Sequence, residues 1–406
     1  MSGPLSGIRV IELGHALAAP FACALLADFG ADVIKIEHPA HGDSLRDMGP
    51  MLDESSAWWS VTGRGKRSVC VDFKKAEGLH IVKGLIRQAD IVVENFRPGV
   101  LDRAGLGWAA LHEQFPALIM LSISGYGRGG PYSDRPGFGK IAEAMSGATH
   151  LTGDPAAPPV HPGYSLGDAT TGIFGAFGVL LALRHRDATG EGQLIDLALY
   201  ESLLRMVEWQ VPLHAVLGQT PVRNGAVFPF EDAFLTDVCA TADGESVVVS
   251  AATTKAKDSV RQMLVAEGLL GDESVSDESV SDEPVSVDMM SQTLRGWVLT
   301  RTREEALSTL LAYDIVAGPV YTTRDIVADP HMAARGNLVT MPSNHGVDVP
   351  MPAVVPSMSA TPGEVRWVGP ALGQHTGEVL TDVLHLSAAE VDALTEAGVV
   401  GPVEGP

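Results

Sequence analysis

Cysteine is scarce in this chain: only Cys23, Cys70 and Cys239, far apart, with no CxxC pair and no zinc pattern. So odd and sparse a count fits a reducing compartment. Base is scarce too, with 28 Lys and Arg against 50 Asp and Glu and a formal charge of -22. That balance argues against nucleic acid and anionic membrane as partners, since both need basic surface. It leaves room for a small anionic ligand held by a local basic cluster. The first residues, MSGPLSGIRVIEL, hold no charged-then-apolar signal region, and no apolar run reaches the roughly 20 residues of a membrane span. The expectation is a cytoplasmic protein without membrane contact. A GxGxxG motif is missing as well. The first strand–turn–helix reads ELGHALAAPFA, and although Glu37 imitates a ribose-binding acid, a pyrophosphate cannot approach such a turn closely. That argues against an NAD site.

What is present is hydrophobic substance: 45% of 406 residues, enough for two to three domains. The first 125 residues alternate strand-like and helix-like segments. IRVIEL (8–13), VIKIE (33–37), SVCVDF (68–73), DIVVENF (90–96) and LIMLSISG (118–125) read as strands. PFACALLADFG lies between the first two, with Pro20 as first helical residue and Gly30 as stop, and a helix through Arg87 follows the third. Strands spaced by helices imply βαβ units and a mainly parallel sheet. A helix is expected over 140–146. The apolar run after Asp168 predicts a buried helix whose Gly172, Gly175, Ala176 and Gly178 let another backbone come close. RHRDATGEGQ (184–193) reads as a solvated turn, and LIDLALYESLLRMVEW as a strand leading into a helix.

Near Pro221 the texture changes to strands joined by a turn at Asp243–Gly244, a second and smaller α+β unit. Within it DESVS, DESVS and DEPVS repeat, and seven acids fall in 272–288, a tract expected to be a mobile surface insertion. Thr302 to Glu305 has capping-box spacing. LGQHTGEVLTDVL and LSAAEVDALTEAG at the end read as two amphipathic helices that can close back on the first domain.

Three constellations bear on chemistry. Arg64, Lys66, Arg67, Lys74 and Lys75 crowd twelve residues, with Arg97 and Arg103 beyond. They are either a solvated face or a phosphate site at the carboxyl ends of parallel strands. GYGRGGPYSDRPGFGK (125–140) is either a plain connection or backbone placed close to a ligand. Asp168 reads first as an N-cap whose helix begins at once, and a nucleophile is compatible with that, because an ionised carboxylate serves both roles.

Ordered blocks run nearly end to end: GIRVIEL, LLADFGADVIKIEHP, GKRSVCVDFK, VENFRPGVLDRAGLG, SISGYGRGGPYSDRPGF, AMSGATHLTG, SLGDATTGIFGAFGVLLAL, GEGQLIDLALYE, AGPVYTTRD and LGQHTGEVL. In these the chain resembles the family III CoA-transferases (CaiB/BaiF), which include formyl-CoA transferase and have α-methylacyl-CoA racemase as a relative. The resemblance implies an α/β fold: a large doubly wound parallel-sheet domain built from both chain ends, a smaller α+β domain, and an interlocked homodimer. It sets the divisions at 1–220, 221–330 with the insertion 272–288, and 331–406. It implies CoA transfer from an acyl-CoA to a carboxylate acceptor through an anhydride and a thioester on Asp168, with acyl-CoA as substrate and no tightly bound cofactor or metal. Oxyanion donors are expected from the helix N–H groups beginning at Ala169 or from the Gly125–Gly130 loop. CoA contacts carry over to Lys74 and Arg103, with Asn95, Phe96 and Arg97 close by. Leu17, in the loop of His15, stands where formyl-CoA transferase has Gln, and His38 where it has Arg. Phe138 and Gly139 replace its Tyr-Glu pair and the His-Asp of the racemases. Two alternatives to transfer stay open: a racemase or epimerase exchanging an α-proton, and a non-catalytic acyl-CoA-binding protein. Phe138 and Gly139 cannot exchange a proton, which weighs against the racemase. Short dicarboxylates are the expected acids.

Overall fold

The computed structural model describes residues 3–52, 55–225, 234–271, 286–344 and 346–401. Most of the acidic repeat, 272–285, lies outside them. Two compact units emerge, one of 1–148, 162–207 and 330–406, the other of 149–161 and 208–329.

In the first unit, runs rich in Val, Ile and Leu form β1 (Arg9–Glu12), β2 (Asp32–Glu37), β3 (Lys66–Cys70), β4 (Ile91–Glu94), β5 (Ile119–Ser124) and β6 (Leu194–Ala198). All pair in parallel, in the order β3-β2-β1-β4-β5-β6. Alternate residues face opposite sides of the sheet. Ile11, Ile34 and Val69 join one core with Ile81, Val82 and Leu85 of α2 (Ala76–Arg87) and Val379 and Leu380 further along the chain. Val10, Val33, Val93 and Leu121 join the other, with α1 (Ala18–Asp28) and the long helix that carries Asp168. Near-continuous hydrophobic strands fit a sheet covered on both faces. The strand order reverses between β1 and β4, which opens a crevice at their carboxyl ends.

Between β3 and β4 lies α2, and after β4 comes the short α3 (Val100–Arg103). Beyond β5 follow α4 (Gly139–Met145), α5 (Leu166–Thr189) and, after β6, α6 (Leu199–Met206). The chain end returns in α10 (Thr376–Asp382) and α11 (Ala388–Glu396). The His375 N–H reaches the Ser68 carbonyl at 3.0 Å, and Val400 bridges to Val71. The second unit stacks α7 (Thr254–Ala266), α8 (Val287–Leu299) and α9 (Arg303–Ala312) on the antiparallel sheet β9-β8-β7, where β7 is Leu235–Ala240, β8 Ser246–Ala251 and β9 Ala317–Pro319. Gly244 makes its β7–β8 turn at φ 80°, and Thr302 with Glu305 forms a capping box at the head of α9.

Three local expectations are corrected. The first helix begins at Ala18 after Leu17, so Pro20 is its third residue and not its first. RHRDAT does not turn: α5 continues through it to Thr189 and stops at Gly190, in the left-handed region at φ 80°. Its Arg186 is drawn back to the sheet by Asp90 at 2.8 Å. The resulting 24-residue helix is by length and composition able to cross a membrane, contrary to the reading of short apolar runs, and half of its apolar window is buried inside this fold. Of the small residues, Gly172 meets another backbone as expected, whereas Gly175 and Gly178 receive the side chains of Leu121 and Ile195. A Cβ on Gly172 would stand 2.8 Å from Phe21 and 3.0 Å from the Ala18 carbonyl, so α1 and α5 meet backbone to backbone.

Candidate active site

Asp168 is not the N-cap. Ser165 holds that position, α5 starts at Leu166, and Asp168 is the third residue of its first turn. The four opening N–H groups of a helix lack helical partners, so each needs another acceptor. Here Leu166 donates to the Tyr164 carbonyl at 3.0 Å and Gly167 to Glu143 Oε1 at 3.2 Å, while Ala169 makes the first ordinary helical bond, to the Ser165 carbonyl at 3.1 Å. The Asp168 N–H lies against its own carboxylate. Ala169 is therefore already committed, which corrects its expected role as an oxyanion donor.

The carboxylate rests on bare backbone. A Cβ on Gly139 would collide with Asp168 Oδ2, and one on Gly167 would meet the Gly139 carbonyl at 2.8 Å. Beyond them Gly125 and Gly137 touch, a Cβ on Gly125 falling 2.7 Å from the Gly137 Cα. The Gly-rich segment after β5 thus folds back so that the head of α4 abuts the head of α5. Phe138 beside it is 76% exposed. Burial, and then the like charge of Glu143, push the Asp168 carboxyl up to about 6, against the pull of Lys140. The carboxyl therefore sits above the ordinary Asp range while staying mostly ionised at neutral pH. Glu143 is buried, bound by the Lys140 ammonium at 3.1 Å from both oxygens.

The predicted CoA residues gather at the carboxyl ends of the strands, in different states. Asn95, after β4, spends its whole amide on the β1–α1 turn. Its Oδ1 accepts the His15 N–H and its Nδ2 donates to the His15 carbonyl, both at 2.8 Å. Phe96 stands edge-on to His15 and to Phe73. Leu17 caps α1 without a side-chain bond, and His38, after β2, stacks on His41. Lys74, Arg97 and Arg103 are exposed, with no side-chain ion pair among the described residues. The rest of the basic cluster is structural. Arg64 is clamped by Asp28, Lys66 is buried on Glu12, and Arg67 pairs with Asp32 and Glu378. Lys75 ties down the carbonyls of Ala397 and Gly398.

Sequence reasoning named Gly139 only as a replacement for the relatives' acidic pair, and missed Glu143, Lys140 and a second carboxylate, Glu94, at the end of β4. Burial raises Glu94 to about 7 despite the Ser122 hydroxyl, the Phe96 N–H and Arg128. Arg128 in turn joins the glycine loop to α3 through Asp102 at 3.1 Å. The spacing K-x-x-E, residues 140 to 143, was the only advance signal for the first pair. A groove of about 510 Å³ between α2 and α11 is lined by Ala76, His80, Leu386 and Leu394, none of them a predicted site residue. Among the described residues no group of acids, His and Cys is placed to hold a metal.

Comparison with known proteins gives a consistent result. The model of CoA-transferase family III matches residues 5–376. The succinyl-CoA–L-malate CoA-transferase beta subunit of Chloroflexus aurantiacus is 41% identical over 405 residues, 98% of each chain. The succinyl-CoA–D-citramalate CoA-transferase of the same organism is 38% identical, again over 98% of each. A solved CaiB/BaiF family protein from Brucella suis superposes with a TM-score of 0.82 at 30% identity, covering 94% of this chain and 100% of that one.

Proposed function

The chain belongs to CoA-transferase family III and is an enzyme that exchanges CoA between an acyl-CoA and a carboxylate; we propose that Asp168 is the nucleophile through which it does so. The carrying observation is the seat of Asp168: a partly buried carboxylate at a helix head, walled by Gly139 and raised to about 6. At neutral pH such a group is mostly ionised yet more basic than an ordinary Asp, which suits covalent catalysis.

Asp168 attacks the donor thioester carbonyl. The C–S bond breaks, leaving an acyl–aspartyl anhydride and CoA thiolate. The thiolate attacks the aspartyl carbonyl, giving an aspartyl–CoA thioester and freeing the donor carboxylate. The acceptor carboxylate then attacks this thioester and releases the thiolate, which takes the acceptor acyl group and regenerates Asp168. No net proton or electron moves. With the first-turn N–H groups of α5 committed, and those of Gly127 and Arg128 bonded to Ser124 and Asp196, the developing oxyanions fall to the other N–H groups of the Gly125–Gly130 loop. Lys74, Arg97 and Arg103 bind the CoA phosphates, while Asn95 and Phe96 shape the β1–α1 turn against which CoA lies, with Leu17 and His38 at its rim. The named substrates of the relatives support succinyl-CoA as donor and a short hydroxydicarboxylate as acceptor.

An interlocked homodimer belongs to the same reading. Ile173, Phe177, Leu180 and Leu181 leave an apolar stripe of α5 more than two-fifths exposed in the single chain, which supports a partner there. One relative is named a beta subunit, so native mass must separate self-association from the need for a second chain. The functional divisions 1–220, 221–330 and 331–406 and a cytoplasmic location complete the proposal, to be checked by limited proteolysis and fractionation.

The test is intact mass after incubation with succinyl-CoA alone, wild type beside Asp168→Ala. A CoA-sized adduct mapped to the Asp168 peptide, with transfer lost at least about a thousandfold in the variant, is expected. Undiminished transfer by Asp168→Ala overturns the reading. Deuterium entering the α-carbon from heavy water would point to racemase chemistry instead.

A further inference from the structure

We propose that Glu143 is a positioning residue for Asp168: from α4 its buried carboxylate caps the first turn of α5 and so aims the nucleophile. The inference rests on Asp168 being that nucleophile.

A helix head is ordinarily capped by the residue before it. Ser165 makes no side-chain cap bond. The Gly167 N–H, immediately before Asp168, goes to Glu143 Oε1 at 3.2 Å. The cap therefore comes from another helix. It is itself held: Lys140 Nζ lies 3.1 Å from both Glu143 oxygens and also donates to the carbonyls of Pro162 at 3.0 Å and Tyr164 at 2.7 Å. Lys140 thereby fastens the segment entering α5 to the same carboxylate that caps it. With Gly139 and Gly167 in backbone contact, the two helix heads form one closed assembly around the nucleophile.

An amide at 143 would accept the same N–H bond. The carboxylate adds charge. Together with burial, Glu143 raises Asp168 and Lys140 opposes it. Of the other elements against α5, α6 has Glu201, which accepts the Ala198 N–H, and Arg205; on α1, Asp28 binds Arg64; on β6, Asp196 accepts the Arg128 N–H; β5 has no titratable side chain. Glu143 and Lys140 are thus the pair that sets the aim of Asp168 and adjusts in opposite senses the basicity that burial raises.

The experiment is a set of pH profiles of kcat/KM, with kcat and intact-mass adduct formation, for wild type, Glu143→Gln, Glu143→Ala and Lys140→Met. In Glu143→Gln the acid limb moves to lower pH, kcat falls about threefold, and KM for succinyl-CoA stays within about twofold. In Lys140→Met the limb moves to higher pH. In Glu143→Ala, which loses the cap as well, kcat and the rate of adduct formation fall together by at least about thirtyfold. The isosteric Gln variant carries the test if the Ala variant unfolds. Acid limbs and kcat within error of wild type in both Glu143→Gln and Lys140→Met overturn the proposal. That result, with the adduct still mapping to Asp168, leaves the nucleophile intact. An adduct that never involves Asp168 removes the nucleophile itself.

Discussion

Two buried charge clusters in the first unit carry the same kinds of side chain and do opposite things. Under the β1–α1 turn, Lys35 Nζ lies 2.8 Å from Glu12 and 2.7 Å from Asp43, and Lys66 lies 2.8 Å from Glu12. Burial alone would raise both carboxylates, yet the ammoniums hold Glu12 below its ordinary value and Asp43 at about 2, while Lys35 goes well above its own. Asp43 also accepts the N–H of Ala16, a non-glycine held at φ 60°. Matched buried charges here brace a strained turn. At the head of α5, two carboxylates share one half-exposed ammonium, and Asp168 rises to about 6. Compensation yields rigidity. Its shortfall, at a partly buried carboxylate beside a half-exposed ammonium, yields a reactive group.

Breaking the compensated cluster has the largest expected effect on stability. Lys35→Met leaves two buried carboxylates short of a partner and should cost about 3–5 kcal/mol in denaturant unfolding. The pH dependence separates the clusters further. Asp43 is depressed, so its contribution is present above its unfolded value near 4 and lost as pH falls through about 2. Asp168 is raised, so its folded state is favoured below its unfolded value and that stability is lost as pH rises through about 6. Asp168→Ala should then flatten the stability profile between about pH 4 and 6. A Lys35→Met variant as stable as wild type would erase the contrast.

Gly139→Ala sharpens it from the other side. The added methyl displaces the Asp168 carboxylate, a side-chain end, and not packed backbone. Activity should fall about a hundredfold with unfolding free energy nearly unchanged. Loss of stability in step with activity would mean that the glycine serves the fold alone. The smallest effect is expected at the exposed cations. Arg97→Ala and Arg103→Ala should each raise KM for acyl-CoA about three- to tenfold, leave kcat within about twofold, and reduce its salt dependence. An unchanged KM in both would move the CoA phosphates elsewhere.

Much of the fold was legible in the residues. Parallel strands announce themselves as short β-branched runs, and Gly172 announced a close helix contact. The basic cluster was legible only as composition. Arg64, Lys66 and Lys74 look alike in a string, and only the fold brings the first two onto the buried Asp28 and Glu12 while leaving Lys74 exposed after the strand's end. Asn95 gave no sign that both ends of its amide would hold His15, a residue 80 positions away.

Local chemistry thus determined the strands, most helices, the turn at Gly244 and the capping box at Thr302, because each depends on neighbours a few residues apart. The family likewise follows from its ordered blocks, and Asp168 stands in one of them. Tertiary structure alone decided the state of Asp168. Its start position in α5, the glycine wall at 139 and the charge of Glu143 come from segments 25 to 29 residues away in the chain. A carboxylate's proton affinity is set by what surrounds it in space, and the linear order of residues does not contain that distance.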